Sequence, residues 1–390
     1  MRSSSRLTSG ADVRPPLAPD PASATVLHAV QPGDGGVARV VVDLVRAQRA
    51  AGLRVAVACP PGTALSEAVR AEGAETHDWR AGRDPGPRLV RETRELARVI
   101  RAVGPSLVHA HSAKAGLCAR LALRGRIPTV YQPHAWSFEA VTGTTASLAR
   151  RWERFGARWA DRILCVSEAE RRTGEAAGVT ADWSVVHNGV DVARFATEGP
   201  PGNPVPTVVC VGRLCRQKGQ DVLLAAWPAV LAEVPTARLV LVGDGPDGER
   251  LRAAAGPSVR FTGAVDDTVP WYRAADVVVL PSRWEGMALA PLEAMASGRP
   301  VVVSDVDGAR ESLPPSHASR CLVPPEDPAA LAAALGRLLG RPELRHRLGR
   351  EAHAHVLNSF DVRRTGAAVA GVYRELAGVR GAEHREPIAQ

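Results

Sequence analysis

The stretch "TVLHAVQPGDGGVARVVVDLVRAQRAAGLRVAVACP", residues 25–60, decides the fold class. It begins with "TVLHAV", a short apolar run typical of a buried strand, and the loop "QPGDGG" follows. "VARVVVDLVRAQRAAG" then has apolar residues at helical spacing and ends at Gly52, which suits the position after a helix. Because "LRVAVACP" has the pattern of another strand, the stretch predicts one βαβ unit with parallel strands.

The same alternation of strands and helices continues through most of the chain. Apolar runs separated by helical patterns follow at "SLVHAHS", "PTVYQPH", "RILCVS" and "SVVHNGV". The segment "ATEGPPGNPVP", residues 196–206, interrupts them, because its prolines and glycines suit neither a helix nor a central strand. The alternation resumes at "TVVCVG". We therefore predict an α/β protein with two tandem, doubly wound, Rossmann-like domains that face each other across a cleft.

The predicted domain boundaries follow from these patterns. Residues 25–200 form the N-terminal domain and residues 201–365 the C-terminal domain. Residues 366–390 form a helix and tail that could pack back on the N-terminal domain. Residues 1–24 are rich in serine, proline and alanine, so we expect a disordered tail there.

Composition limits the classes of partner. The net charge is +8, yet the positive residues are scattered and aromatic residues make up only 4%, so we expect no nucleic-acid partner. No apolar run reaches the ~20 residues that span a bilayer, and the N-terminus lacks the apolar core of a secretory signal. These features predict a cytoplasmic protein. Peripheral contact with the inner face of an anionic membrane stays open.

Lys218 is one of only two lysines in a chain whose other basic residues are arginine. It lies in "VGRLCRQKGQDVLL", residues 211–224, in a turn between a predicted strand and a predicted helix. Arg213 lies five residues earlier in the same turn. A helix N-terminus offers free N–H groups and a partial positive charge, and the two side chains add to it. The turn therefore predicts an anion site of the kind that binds phosphate.

A second motif, "SRWEGMALAPLEAMASGRP", follows another predicted strand. Pro291 suits the first turn of a helix and Gly298 the position after its end. Glu293 is then on the helix, and Glu285 is in the loop before it. Two carboxylates at this spacing can accept hydrogen bonds from two separate sets of hydroxyl groups, such as those of a sugar and a ribose.

Together these motifs resemble the retaining family 4 glycosyltransferases of GT-B fold. Further marks of the resemblance are "GG" at 35–36, "HAHSAKAG" at 109–116, "PHAW" at 133–136, "CVSEAE" at 165–170, "VVHNGVD" at 185–191 and "VGDGP" at 242–246. The resemblance covers residues 25–365, and the order and spacing of the motifs make it specific. It implies an N-terminal domain that binds the acceptor and a C-terminal domain that binds the donor.

The resemblance implies a role for each matching position. Arg213 and Lys218 would bind the diphosphate of a UDP- or GDP-sugar. Glu285 would bind hydroxyl groups of the donor sugar, and Glu293 the ribose. His134 would lie at the reacting centre, beside the donor sugar and the acceptor. The remaining donor-binding positions would be Gly35, Gly36, Gly263, Gly286, Met287, Ala288 and Leu289.

The implied reaction is transfer of a sugar with retention of its anomeric configuration. When the bond from sugar C1 to phosphate breaks, Arg213, Lys218 and the helix N-termini would stabilise the negative charge on the leaving diphosphate without a metal or cofactor. The residues offer no clear protein nucleophile, so we favour front-face attack assisted by the leaving phosphate. The pair of carboxyl groups is not assigned the role it has in retaining glycosidases.

Several alternatives stay open at this stage. A nicotinamide oxidoreductase is disfavoured, because neither "GDGG" nor "VGDGP" is G-x-G-x-x-G. A sugar-nucleotide epimerase of the same fold is closer, and a non-catalytic sugar-nucleotide module would be expected to lack one of the charged site residues. For a transferase, the acceptor is either a lipid-linked glycan of polysaccharide biosynthesis or a small-molecule natural product.

Three other features of the sequence carry predictions. Lys114 begins a helix after strand 106–111, so it is a candidate contact for an anionic acceptor. Trp152, Phe155 and Trp159 lie at helical spacing in a basic segment; we prefer a core-facing stripe there over a membrane-surface helix. The "DVD" at 305–307 matches the D-x-D of metal-dependent transferases, but such pairs are common by chance and the segment fits the loop of the family it resembles, so we expect no required metal. None of the six cysteines is in C-x-x-C spacing, so we expect no zinc site.

Overall fold

The computed structural model describes residues 24–83, 86–196 and 205–383, the last six as backbone only. The first half of the chain forms a seven-stranded sheet in the order β3-β2-β1-β4-β5-β6-β7, in which all strand pairs are parallel. Its strands are β1 Thr25–Val30, β2 Arg54–Cys59, β3 Glu75–Asp78, β4 Leu107–His111, β5 Thr129–Gln132, β6 Arg162–Cys165 and β7 Trp183–Val185. Its helices are α1 Gly35–Ala50, α2 Ala64–Ala71, α3 Leu89–Val103, α4 Ser112–Leu123, α5 Gly143–Ala157, α6 Glu168–Ala176 and α7 Val192–Phe195.

The second half repeats this architecture in a six-stranded sheet, ordered β10-β9-β8-β11-β12-β13 and again built of parallel pairs. Its strands are β8 Thr207–Val211, β9 Arg238–Val242, β10 Val259–Gly263, β11 Val277–Leu280, β12 Val301–Ser304 and β13 Leu322–Val323. Its helices are α8 Gln220–Glu233, α9 Gly248–Ala254, α10 Val269–Ala274, α11 Leu289–Ala296, α12 Ala309–Ser312, α13 Ala318–Cys321, α14 Pro328–Leu339, α15 Pro342–Ser359 and α16 Val362–Glu383.

The central strands are buried on both faces. Every residue of β1, β4 and β11 is buried, which is why these strands read as apolar runs rather than as alternating patterns. Two facing parallel sheets confirm the predicted fold class. The interdomain segment 197–204 and the tail 1–23 lie outside the described residues, so the boundaries placed there remain predictions.

The order of strands in each sheet reverses direction at one point, between β1 and β4 and between β8 and β11. Loops from adjacent strand ends diverge there and leave a crevice in which ligands of doubly wound proteins bind. The loops that hold Gly35, Lys218 and Glu285 all follow strands at these two reversal points. The topology therefore brings the predicted site residues to facing edges of the two sheets.

The C-terminal helix α16 returns to the first half of the chain and packs on α1. A Cβ placed on Gly366 would lie 2.8 Å from the Cβ of Ala47, so the two helices are in close contact. Tyr373 of α16 accepts a hydrogen bond from the Gln48 side chain of α1 at 3.4 Å. The helix that ends the described chain therefore connects the two halves.

Helix α5 differs from the prediction, because its aromatic stripe is only partly buried and lies outside the core. Phe155 is 44% exposed and Leu148 is 63% exposed. Phe155 and Trp159 pack edge to face at 5.0 Å between ring centroids, and Trp152 lies beside both. The residues of α5 that are buried are the small or acidic ones, Ala146, Glu153, Gly156 and Ala157. The aromatic rings therefore form a cluster at the surface.

All six cysteines are free and buried, as predicted. None of the described helices combines the length and the apolar character that crossing a bilayer would require.

Candidate active site

Lys218 and Glu285, predicted from two separate motifs, meet directly. Lys218 ends a 3-10 turn, Arg216–Lys218, that joins β8 to α8, and its Nζ lies 2.5 Å from Oε1 of Glu285. Ser282 also donates a hydrogen bond to Oε1, at 2.7 Å. The lysine side chain is 20% exposed and the glutamate 10% exposed, so both face a partly shielded crevice. The Lys218 ammonium keeps further N–H groups for a ligand.

Gly219 explains why the lysine turn lies so close to the other motif. Its φ is +66°, a conformation that favours glycine, and a Cβ there would lie 2.0 Å from the carbonyl oxygen of Pro281. Any larger residue would push the turn away from the end of β11. The glycine after Lys218 therefore fixes the approach of the cation to Glu285.

Arg213 supplies a second positive charge to the same turn. Its backbone carbonyl accepts a hydrogen bond from the Gln220 side chain at the start of α8, which fixes the backbone. Its guanidinium is partly exposed and makes no ion pair within the described residues. An arginine fork without an acidic partner, in the same turn as Lys218, suits an anionic ligand.

The second carboxylate, Glu293, is one helical turn inside α11 and is held by a tyrosine. The Tyr272 hydroxyl donates to Oε2 of Glu293 at 2.7 Å, and Glu293 is only 8% exposed. Burial raises the pKa of Glu293. A cavity of about 180 Å³ lies beside it, lined also by Leu289 and by Arg39 of α1. A cavity with space for a ligand therefore lies between the two halves of the chain.

Loops of the N-terminal half contact the backbone that leads into α11. Ser167 donates to the carbonyl of Gly286 at 3.0 Å, and Asn188 donates to the carbonyl of Met287 at 2.7 Å. A Cβ on Gly286 would lie 2.9 Å from the carbonyl carbon of His134, so these loops touch without a gap. The residues 286–289 that were predicted to bind a donor are thus at the contact between the halves.

His134 lies in a loop with an unusual backbone. Its φ is +59° and that of the next residue, Ala135, is +131°, both rare for residues with a side chain. The Nε2 of His134 lies 3.1 Å from Nδ1 of His111. Burial lowers the pKa of His134 to about 3, so its ring is neutral at physiological pH. A neutral imidazole can donate one hydrogen bond and accept another from hydroxyl groups, but it does not carry the proton of an imidazolium for use as a general acid.

The buried carboxyl group of Glu170 and the half-buried one of Glu139 support the loop that carries His134. Glu170 accepts the backbone N–H of Val166 at 2.7 Å, and Glu139 accepts that of Trp136 at 3.0 Å. Burial raises the pKa of Glu170 to about 8. Burial, with Asp307 and Glu285 nearby, raises the pKa of Glu139 to about 7. Neither glutamate was expected at the site from the sequence, because a glutamate in a helical or loop pattern gives no signal of burial.

The N-terminal glycines predicted to approach the donor reach the start of α11, and Gly263 lies at the end of a strand. Gly35 has φ +75° at the start of α1, and a Cβ on Gly36 would lie 4.0 Å from Cδ1 of Leu289. Gly263 ends β10 with φ +75° and accepts the backbone N–H of Gly243. The structure thus brings the N-terminal glycine loop to the start of α11 and places Gly263 at the carboxyl end of its own sheet.

Lys114 does not fit the role predicted for it. Its Nζ lies 2.7 Å from Oε2 of Glu92 on α3, and both side chains are 2% exposed. An ammonium buried in this way is not accessible to an acceptor. We therefore correct the prediction: Lys114 belongs to a buried ion pair that joins α4 to α3. This structural role explains the presence of one of the two lysines in the chain.

The residues weighed as metal ligands are occupied by other contacts. Asp305 pairs with Arg310 at 2.5 Å, and Asp307 accepts the hydroxyl of Thr173 at 2.7 Å. A different group was not anticipated from the sequence: one ring nitrogen from each of His28, His109 and His111 lies within 4.8 Å of the other two in the core. Its members come from two strands, and only the pairing of β1 with β4 brings them together.

Comparison with known proteins shows how widely this architecture is shared. A family model described as Glycosyltransferase Family 4 matches residues 34–194, and one described as Glycosyl transferases group 1 matches residues 205–341. Glycogen synthase of Mycobacterium tuberculosis (strain ATCC 25618 / H37Rv) is 30% identical over 90% of this chain and 94% of that protein. D-inositol 3-phosphate glycosyltransferase of Streptomyces bingchenggensis is 34% identical over 69% of this chain and 66% of its own length.

Solved structures agree over nearly the whole chain. Sucrose-phosphate synthase from Thermosynechococcus elongatus has a TM-score of 0.78 and 25% identity, and covers 91% of this chain and 100% of that one. Anabaena HepE in complex with UDP and glucose has a TM-score of 0.76 and 23% identity, and covers 90% of this chain and 99% of that one.

Proposed function

Because the chain belongs to the family 4 glycosyltransferases and has their GT-B fold, we propose that it transfers a sugar from a nucleoside-diphosphate donor to an acceptor hydroxyl. The observation that carries this proposal is the contact of Lys218 with Glu285 at 2.5 Å, in the turn that also holds Arg213 and next to the residues that lead into α11. Together they place positive charge and a hydroxyl acceptor in one crevice.

The donor diphosphate would bind to Arg213 and Lys218. Arginine offers a planar fork for two phosphate oxygens, and lysine offers a compact charge that can follow a phosphate as it leaves. The backbone N–H groups at the start of α11 add the positive end of a helix dipole. Glu285 would then accept hydroxyl groups of the donor sugar, and Glu293, held by Tyr272, those of the ribose.

Retention of configuration is the stereochemical outcome we propose. A double displacement would need a free carboxylate beside the sugar, whereas Glu285 is held by both Lys218 and Ser282. Front-face attack needs only stabilisation of charge on the departing diphosphate, which the two basic side chains supply. Metal is not required for this step. His134, neutral in the cleft loop, would contribute a hydrogen bond to a hydroxyl of the sugar or acceptor.

The donor and acceptor classes are proposed from the same site and from the relatives. HepE was solved with UDP-glucose, which favours a UDP-sugar, and a GDP-sugar is the second candidate. A relative from Rhizobium leguminosarum bv. viciae, 34% identical over half of this chain, is named a lipopolysaccharide core mannosyltransferase. We therefore favour polysaccharide or glycoconjugate biosynthesis with a lipid-linked acceptor. A small-molecule acceptor is the alternative.

Kinetics of a Lys218 variant test the role of the cation. Lys218→Ala should reduce turnover about 10²-fold or more, the cost of removing one donor that stabilises a developing anion. The control is Arg238→Ala, which removes an exposed cation at the opposite, amino end of β9. Equal rates for Lys218→Ala and Arg238→Ala would remove the phosphate-binding role.

Product analysis tests the reaction class. The anomeric configuration of the product, measured by NMR, should match that of the donor, and EDTA should leave the rate unchanged. Inversion would contradict front-face attack, and loss of activity with EDTA that Mg²⁺ or Mn²⁺ restores would contradict metal independence. Rapid release of nucleotide without any acceptor would favour an epimerase.

We propose a cytoplasmic enzyme that makes peripheral contact with anionic lipid through helix α5. Its exposed Leu148 and Phe155 lie among the exposed arginines of the same helix, a combination typical of helices that lie on membrane surfaces. Wild-type protein should pellet with vesicles that contain anionic lipid and should remain soluble with neutral vesicles. A Leu148→Ser/Phe155→Ser variant should lose pelleting without loss of activity on a soluble acceptor. Equal pelleting of both proteins would contradict the contact.

A further inference from the structure

Three buried histidines next to the site have no role in the proposed reaction. His28 on β1 stands opposite His109 on β4 in the parallel register, and His111 follows two residues later on the same face of β4. All three are completely buried. Burying a polar ring in the core of a sheet costs free energy unless the ring is hydrogen-bonded, so the hydrogen-bond partners of these histidines indicate what the rings do.

The partners form a continuous line that starts in the cleft. His134 Nε2 lies 3.1 Å from His111 Nδ1, and His111 Nε2 lies 2.9 Å from His28 Nδ1. His28 Nε2 in turn lies 2.9 Å from Oε1 of Gln48 on α1. The line of four side chains joins the candidate catalytic loop to the helix that packs against α16. We call it the imidazole chain.

The last member of the imidazole chain fixes the direction of every hydrogen bond in it. An amide oxygen only accepts, so His28 must carry its proton on Nε2. A neutral imidazole has one N–H and one lone pair, so Nδ1 of His28 accepts from Nε2–H of His111. By the same rule, Nδ1 of His111 accepts from Nε2–H of His134. Burial lowers the pKa of His28 to about 4 and that of His111 below its usual value, so both rings are neutral.

The orientation of the Gln48 amide depends on Tyr373 of the C-terminal helix. The amide N–H group of Gln48 donates to the Tyr373 hydroxyl at 3.4 Å, which turns the amide oxygen to His28. The hydroxyl lies 2.6 Å from Nδ1 of His109, to which its own proton can be donated. Without this hydroxyl the amide could rotate, and the whole line of hydrogen bonds could reverse.

The same cluster has the composition of a zinc site, which is the main alternative. Tetrahedral zinc with bonds of about 2.0–2.1 Å to imidazole separates its nitrogen ligands by about 3.3 Å. His28 Nδ1 and His111 Nε2 are instead 2.9 Å apart, and both nitrogens of each of these rings already have hydrogen-bond partners. Hydrogen bonding therefore accounts for these atoms without an ion.

We propose that the imidazole chain positions His134 by holding it as the tautomer protonated at Nε2, with Tyr373 setting the direction of the chain. Nδ1 of His134 has no hydrogen-bond partner among the described residues, so it is the ring atom left to accept a hydroxyl group of a ligand. His111, His28 and Gln48 are thus positioning residues. This inference rests on the proposed function only for the placement of His134 beside the donor sugar.

The tautomers can be measured without substrate, by NMR of the full chain labelled with ¹⁵N-histidine between about pH 5 and pH 8. In the wild type, His134 should be a single neutral tautomer with its proton on Nε2. His111→Phe removes the acceptor and should give a mixture of tautomers at His134. Tyr373→Phe should cause the same change from the far end, and it stays informative if His111→Phe does not fold. The control is His77→Gln, because His77 lies on the edge strand β3 and is not part of the imidazole chain. This variant should leave the tautomer of His134 unchanged.

Three results would overturn the inference. These are a proton on Nδ1 of His134 in the wild type, an unchanged His134 tautomer in both variants, and one equivalent of tightly bound metal in the purified protein. Kinetics separate this inference from the proposed function. Tyr373→Phe should lower turnover about tenfold or more, with less than about a threefold change in KM for the donor. If the tautomers behave as predicted but His134→Ala keeps full turnover, the positioning role of the imidazole chain is supported and the placement of His134 beside the donor sugar is contradicted.

Discussion

Gly286→Ala should impair catalysis while leaving each domain folded. Gly286 follows Glu285, and its Cα faces the N-terminal half of the chain. An added methyl group would lie 2.8 Å from Cγ2 of Val166, 2.9 Å from Oε1 of Glu170 and 2.9 Å from the carbonyl carbon of His134. Its φ is not in the left-handed region, so the effect is steric and not conformational.

The neighbours of this methyl group cannot move away easily. One is backbone, and the Glu170 carboxyl group is held by the N–H of Val166 at 2.7 Å. Overpacking of this kind costs about 1–3 kcal/mol. Because the clash lies between the two halves, it opposes their contact rather than the core of either one. If the contact forms the active arrangement, the cost corresponds to a decrease of about 5- to 150-fold in kcat/KM.

The assay compares initial rates over a range of donor concentrations with thermal unfolding of the same samples. Gly256→Ala is the matched control, because a Cβ at Gly256 meets nothing within 4 Å and lies in the same domain. Gly286→Ala should lose kcat/KM with an unfolding midpoint lowered by less than about 10 °C, whereas Gly256→Ala should match the wild type. Wild-type kcat/KM for Gly286→Ala would refute the view that this contact assembles the site.

Three further predictions concern buried ionisable groups. In urea titrations, Lys114→Ala should reduce the free energy of unfolding by about 3–5 kcal/mol, because it leaves the charge of Glu92 buried without its ion-pair partner. A Lys114→Met/Glu92→Gln variant should recover much of this loss. A cost below about 1 kcal/mol for Lys114→Ala would contradict the buried pair. In the folded protein Glu170 has a pKa of about 8 and keeps a proton that it releases above about pH 4.5 in the unfolded chain. Its contribution to the free energy of unfolding of the wild type therefore falls by about 1.4 kcal/mol per pH unit as the pH rises from about 4.5 to about 8. Glu170→Gln lacks this proton and should gain stability relative to the wild type across that window, whereas parallel pH curves would disprove it. Tyr272→Phe should raise KM for the donor about 5- to 10-fold with little change in kcat, because Glu293 loses its hydrogen bond, and an unchanged KM would count against a ribose contact.

The sequence predicts the fold and half of the site for the same physical reason. Strands buried on both faces read as apolar runs, and the glycines and prolines between them mark loops at the strand ends. Lys218 and Glu285 each follow such a strand. In a doubly wound sheet those loops gather at one edge, so their meeting could be expected from the order of elements.

Other features depend on contacts that no local pattern encodes. Lys114 was predicted to face a ligand, yet Glu92 from a different helix pairs with it. The imidazole chain exists only because β1 pairs with β4 in one register and α16 returns to α1. The spacing of Trp152, Phe155 and Trp159 was recognised, but spacing gives no indication of whether a stripe faces the core or the solvent.

Calorimetric titration with nucleoside diphosphates tests the central claim most directly. UDP or GDP should bind the wild type at least about 100-fold more tightly than the corresponding nucleoside, because Arg213 and Lys218 hold the diphosphate. In an Arg213→Ala/Lys218→Ala variant that difference should largely disappear, while Arg238→Ala should bind as the wild type does. Undiminished binding of the diphosphate by the double variant would contradict the account.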